Sequence, residues 1–226
     1  MGETSTRTVD RAIDLLAVVC DTRGMTLADC ARATDLSAST ALRLLRTLEA
    51  KGFVQKTEEG LYSPGRRIMQ LGAAALSEES LIDYCKADME ALVSDTGEST
   101  YLSVPGFRET AIYISIIEGT HSVRHTSWVG RTIPLAGTAA GEALVGRVAP
   151  GAYVVVEKGV EADVTAIAAP VLSGRRVVAA LSLVIPSYRL NEVLVARYGE
   201  LLAATAGSLS SGLSHEPGVP TAALSS

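Results

Sequence analysis

An α+β fold in two parts is predicted, on three observations. Apolar residues recur at helical spacing up to about residue 96, and beyond residue 100 the chain turns to short runs rich in β-branched residues. Within residues 26–62 a short helix, a tight turn, a second helix and a hairpin follow one another closely. The charge also divides: residues 1–67 hold ten Lys/Arg against nine Asp/Glu, or +1, whereas residues 68–226 hold ten against sixteen, or −6. Helices flanking an antiparallel sheet give the second part its α+β class.

Taken in order, residues 7–21 read as a first helix, with Val9, Ala12, Ile13, Leu16, Val19 and Cys20 at helical spacing and Gly24 as its stop. Thr26 stands three before Asp29, a capping-box-like start for a short helix at 27–33. Asp35-Leu36 makes the turn, and Ser37 caps a helix that runs to about Ala50 and ends at Gly52. Residues 53–56 and 61–63 are strands joined through Thr57-Glu58-Glu59-Gly60, and Pro64-Gly65 closes a first domain, 1–65. Residues 66–80 form a linking helix. The second domain, 81–213, begins with a helix at 81–96. Strands follow at 100–104, 111–117, 123–127, 153–157, 164–170 and 177–185, with a small-residue helix at 138–145 and a closing helix at 190–213. Residues 214–226 have the composition of a flexible tail.

The helix at 38–50 carries the most chemistry. Ala41, Leu44, Leu45 and Leu48 fall at i, i+3, i+4 and i+7, one apolar stripe. The opposite face holds Ser39, Arg43, Arg46 and Thr47, donors that reach phosphates and base edges, with Leu42 at its border. An isolated helix of this kind is best read as a solvated face; the preceding helix, turn and hairpin favour the major groove of DNA instead. Ser37 is a cap before it is a DNA contact, and Lys56 in the hairpin lies where a phosphate would pass. Glu58 and Glu59 weaken any contact at the hairpin tip.

Composition narrows the class. A chain that is 47% hydrophobic and 20% charged, with no long uncharged apolar run, reads as globular and without membrane spans. The polar N-terminus lacks a signal-peptide core, and three cysteines without a CxxC pair predict a reduced, cytoplasmic protein. Catalytic readings fail one by one. Gly130-Arg131-Thr132-Ile133 and Thr138-Ala139-Ala140-Gly141 are followed by no G-K-[ST], so neither is a phosphate loop. His121 and His125 would share one face of a strand at 123–127 but have no third ligand nearby. With no Ser-His-Asp or Cys-His grouping, no enzyme and no cofactor or metal is expected.

The order of motifs across both halves resembles the IclR-type bacterial transcriptional regulators. The N-terminal resemblance lies in Thr8-Val9-Asp10-Arg11-Ala12-Ile13-Asp14-Leu15-Leu16, in residues 37–45, in Leu48-Glu49-Ala50-Lys51-Gly52-Phe53-Val54 and in Tyr62, Pro64-Gly65 and Leu71-Gly72. The C-terminal resemblance lies in Thr96-Gly97-Glu98-Ser99, residues 129–135, Thr138-Ala139-Ala140-Gly141, Ile167-Ala168-Ala169-Pro170 and residues 177–182. It implies a winged helix-turn-helix, a linker helix and a GAF/PAS-like effector domain, assembled as a homodimer or dimer of dimers on a pseudo-palindromic double-stranded DNA operator. Ser37, Ser39, Thr40, Leu42, Arg43, Arg46 and Lys56 are the expected DNA-contact residues. Gly130, Ala139, Ala140, Glu157, Ala166 and Ser182 are expected at the pocket of a small-molecule effector. For the small residues among them, close helix–sheet packing is an equal reading. One departure stands out: where the family carries one or two helices, Val145-Gly146-Arg147-Val148-Ala149-Pro150-Gly151 alone fills the interval. The shortened domain leaves two readings open, an effector-responsive regulator or a DNA-bound oligomer that binds no effector.

Overall fold

The first element, α1 (Arg7–Cys20), buries Leu15 and Val19 one turn apart. The computed structural model describes residues 6–22, 24–77, 81–125 and 127–214, and the side chains of 73–77 are not described. The chain divides into two units, Met1–Glu78 and Glu79–Ser226.

In the first unit, α2 (Leu27–Ala33) starts on Thr26, whose hydroxyl accepts from the Asp29 N–H at 3.2 Å and donates to the Asp29 carboxylate at 2.7 Å. The Thr26 hydroxyl and, more weakly, Arg32 hold that carboxyl below its usual range. α3 (Ala38–Ala50) starts on Ser37, whose hydroxyl accepts from the Thr40 N–H at 3.3 Å. Ala41, Leu44 and Leu45 are buried as the helical period requires, the two leucines in one cluster with Leu15, Val19, Cys30, Val54 and Tyr62. Fully burying a leucine contributes about 1.5–3 kcal/mol relative to exposure, so this small cluster fixes α3 on α1 and α2. The antiparallel pair β1 (Val54–Lys56) and β2 (Tyr62–Pro64) forms the hairpin, and a bridge from Met25 to Tyr62 ties it to the start of α2. α4 (Arg66–Ser77) follows; the rest of the linking helix expected over 66–80 lies outside the described residues.

The second unit is one six-stranded antiparallel sheet in the order β5-β4-β3-β8-β7-β6. Its elements are α5 (Leu81–Thr96), β3 (Ser99–Pro105), β4 (Thr110–Ile117), β5 (Thr132–Pro134), α6 (Ala139–Leu144), β6 (Val154–Glu157), β7 (Val164–Ser173), β8 (Arg176–Pro186) and, after a 3-10 turn at Ser187–Arg189, α7 (Glu192–Leu213). Alternation along β8 divides the core. Ala179, Leu181, Leu183 and Ile185 pack with residues of α5 and α7, whereas Ala180 and Val184 pack with residues of α6. A strand buried on both faces reads as a near-continuous apolar run, which is why Val177–Ile185 shows so little polar alternation.

One strand expectation needs correction, and one strand is added. Among the described residues of 123–127 none is in a strand; the segment is a loop. Its backbone polar groups are met by side chains instead: the Val123 carbonyl accepts from Arg189 Nη2 at 2.7 Å, and the His125 carbonyl from the Ser99 hydroxyl at 3.3 Å. The strand that does extend the sheet at that edge is β5, which pairs with β4 through Thr132, Ile133 and Pro134. The interval after α6 holds no helix: Val145–Tyr153 turns directly into β6, with Val148 buried and Arg147 paired to Glu142 at 2.9 Å.

Candidate nucleic-acid interface and internal cavity

The buried stripe of α3 sets its other face. Ser39, Arg43, Arg46 and Thr47 are all exposed, and Leu42 is half-buried at the border. Among the described residues neither Arg43 nor Arg46 is in a salt bridge, so two guanidinium groups three positions apart stand un-neutralised. By contrast Arg32, on α2, is held at 2.7 Å by Asp29. Ser37 is committed to capping: besides the Thr40 N–H, its hydroxyl lies 2.9 Å from the Thr40 hydroxyl and 3.1 Å from that of Ser39. In the hairpin, Lys56 Nζ sits 5.5 Å from the Tyr62 ring centroid, which keeps the cation near the strand. Glu58 and Glu59 are exposed at the tip, and a bond from the Thr57 hydroxyl holds the Glu59 carboxyl below its usual range, so the tip stays anionic.

In the second unit a cavity of about 20 Å³ lies between α6 and the sheet, the size of a single water site. Its walls are Ala139 of α6, Val156, Val164, Ala166 and Val184 of the sheet, and the rings of Tyr113, His125 and Trp128, closed by Gly159, Val160 and Glu161. Of the six residues expected at a pocket, Ala139 and Ala166 line it. Ala140 is buried without lining it, and Gly130 sits in the turn before β5. Glu157 does not line it: strand alternation points Val156 at the cavity and places Glu157 on a groove with Tyr153, Val155 and Thr165. Ser182 lies on the cavity side of β8 by alternation, paired to Tyr101 and Ala168, and its buried hydroxyl has no hydrogen-bond partner among the described residues. Gly141 is small for packing, since a Cβ there would run into the Leu135 carbonyl.

The polar end of the cavity was not visible as a motif. The Tyr101 hydroxyl lies 2.6 Å from His125 Nδ1, and His125 Nε2 faces the Glu161 carboxylate at 3.6 Å. Trp128 meets the imidazole edge-on at 4.7 Å between centroids. Burial pushes the Tyr101 phenol well above its ordinary range, and burial raises Tyr113 to about 12, so both stay protonated. The short contact with Tyr101 engages Nδ1, and Nε2 is the ring nitrogen that faces Glu161. The two histidines serve different partners: His121 Nε2 stands 3.5 Å from Glu98. No group of three or more metal-ligating side chains forms among the described residues. Cys85 is buried and its thiol is raised to about 12, an unreactive group.

Comparison with known proteins decides the lineage. Residues 8–58 match the IclR helix-turn-helix domain, and residues 73–153 and 147–211 match the C-terminal domain of the bacterial transcriptional regulator IclR. The chain belongs to the IclR family. In this IclR-family chain the two C-terminal matches overlap at 147–153, within the short link from α6 to β6. The family is one of regulators rather than enzymes. The chain is 29% identical to the HTH-type transcriptional regulator XynR of Escherichia coli over 62% of its own length and 56% of that protein's. It is also 29% identical to KipR of Bacillus subtilis, over 57% and 51%. It thus spans about half the length of the curated relatives it matches. Among solved structures, an IclR transcriptional regulator from Alicyclobacillus acidocaldarius superposes with a TM-score of 0.78 at 21% identity, covering 92% of this chain and 99% of that one. An IclR homologue from Microbacterium hydrocarbonoxydans, complexed with 4-hydroxybenzoate, gives 0.72 at 23% identity, covering 91% and 98%. Both likenesses concern the fold.

Proposed function

We propose that this IclR-family chain is a cytoplasmic transcription factor that reads a pseudo-palindromic operator as a dimer or dimer of dimers, with α3 of each copy in a major groove. The observation that carries the reading is the exposed, un-neutralised pair Arg43 and Arg46 on the face opposite the buried stripe of α3. Ser39 and Leu42 add a hydroxyl and a methyl surface to that face, Ser37 and Thr40 order its N-terminus, and Lys56 reaches a flanking phosphate. The domain division 1–65, 66–80 and 81–213 belongs to the same proposal. Selection from a pool of random-sequence duplexes, followed by gel shift over a salt series, tests it. A recovered inverted repeat whose affinity falls linearly in log salt is expected; indiscriminate binding at every salt concentration would sink it.

The α6 cavity is the proposed effector site. The rings of Tyr113 and Trp128, the imidazole of His125 and an unsatisfied buried serine along the same sheet face support a ligand with an apolar body and one polar group. A second reading, in which the C-terminal unit only oligomerises, draws on the cavity's volume of about 20 Å³, far below the few hundred that a ligand pocket occupies. Thermal denaturation of the full chain against a metabolite panel separates the two. A ligand at a hundred times its Kd adds about 2.7 kcal/mol of stability. A flat response across the panel favours the oligomerisation reading.

A further inference from the structure

Glu161 belongs to the turn between β6 and β7, and that turn lies over the cavity like a strap. Lys158 takes a left-handed backbone there, with φ of 57°, and Gly159 approaches α6 so closely that a Cβ would come to 2.7 Å of the Gly137 carbonyl oxygen, just before the Thr138 cap. Gly159, Val160 and Glu161 close the space above Ala139, Val156, Ala166 and Trp128. The strap ends in an anion: the Glu161 carboxylate faces Nε2 of His125, an imidazole whose side chain is only 8% exposed while Glu161 is 46% exposed.

We infer that Glu161 is the site's own occupant, a carboxylate resting where the carboxylate of a small organic acid binds, and that such a ligand displaces it from His125 and lifts the 158–163 strap. The inference rests on the reading of this cavity as the effector site. Geometry selects the ligand class. Tyr101 engages Nδ1 of His125, so Nε2 is the ring nitrogen turned to Glu161, and what the fold sets against it is a carboxylate. The walls around it are aliphatic and aromatic, which suits an apolar or aromatic body behind the acid. Two carboxylates on one imidazole repel, so ligand and Glu161 exclude each other, and occupancy is tied to strap position. The same displacement accounts for the closed volume: with the strap down there is room for water, and the ligand's space appears only when Gly159, Val160 and Glu161 move away. An internal competitor lowers the apparent affinity by the fraction of time it holds the site.

Calorimetric titration of the full-length protein with benzoate and 4-hydroxybenzoate, each beside its neutral amide, tests this in the parent, Glu161→Gln and His125→Gln. Glu161 is half-exposed in a turn, and circular dichroism with the thermal midpoint confirms that each variant is folded. Glu161→Gln is expected to bind the acids at least about tenfold more tightly and the amides no differently. His125→Gln should lose the preference for acid over amide. Acid affinities unchanged or weakened in Glu161→Gln overturn the displacement while leaving the effector site standing. An equal gain for acids and amides also overturns it, because relief of bulk rather than charge would then explain the change. If no protein binds any of the four compounds, the effector reading fails for this ligand class and the displacement with it.

Discussion

Replacing Arg189 by methionine is expected to destabilise the C-terminal unit by about 3 kcal/mol near pH 7.5. Glu98 is buried, with a side chain only 3% exposed, and Arg189 Nε stands 3.0 Å and Nη2 3.3 Å from its two oxygens. Burial raises the Glu98 carboxyl above its ordinary value, while Arg189 and then His121 pull it back. Without the guanidinium the folded-state value rises further, because burial then acts almost unopposed. The sign follows from linkage. A carboxyl whose pKa is higher folded than unfolded binds more protons in the native state, so stability is greatest at acid pH and falls as pH rises through the folded value. The methionine variant should therefore lose most at pH 7.5 and recover toward the parent as the pH is lowered toward about 5 and the carboxyl takes up its proton. Urea midpoints at both pH values check this; a parent-to-variant gap that does not narrow on acidification would show that the pair matters only through packing. Glu98→Gln should cost less, since Arg189 is partly exposed and can turn to water.

The second large effect concerns α3. Arg43→Ala is expected to weaken specific operator binding ten- to a hundredfold, about 1–3 kcal/mol, and to relax base preference at one position of each half-site. If Arg43 holds a phosphate instead, affinity falls evenly across sequences and the salt slope drops by about one. Both side chains are exposed, so neither Arg43→Ala nor Arg46→Ala should disturb the core of Leu15, Leu44 and Leu45. Gel shifts on the selected operator and on a scrambled duplex separate the cases. Arg43→Ala with operator affinity intact would remove α3 from the account.

Which parts of the molecule were legible in the sequence follows from the range of the interactions involved. α3 announces itself because Ala41, Leu44 and Leu45 obey a local period and Ser37 caps three residues downstream, all within one short segment. β7 and β8 were visible as β-branched runs around the Gly174 turn. The loop at 121–127 misled because Val123 and its neighbours have strand-like composition, while the groups that satisfy its backbone, Arg189 and Ser99, come from distant parts of the chain. β5 escaped notice because it is three residues long and ends in proline. The cavity's polar end needed three loops and strands at once: Tyr101, His125 and Glu161 carry no spacing signature, and only the folded sheet brings them together. Glu157 lies one residue from Val156, which lines the cavity, and one position along a strand is enough to change the side of the sheet that a side chain serves.

The central seam of the sheet, where Ser99 of β3 pairs with Val184 of β8, joins residues eighty-five positions apart. The apolar cluster that joins α1, α2, α3 and the hairpin lies within the first sixty-five residues. Non-local pairing is slow to form because a long loop must close before any contact rewards it. During synthesis the winged unit is complete while β8 has yet to leave the ribosome, and β3 waits with one edge unpaired for most of the remaining chain. For that interval the nascent polypeptide carries its finished head on an unfinished body, and its exposure to misassociation is concentrated in the strands that β8 will later cover.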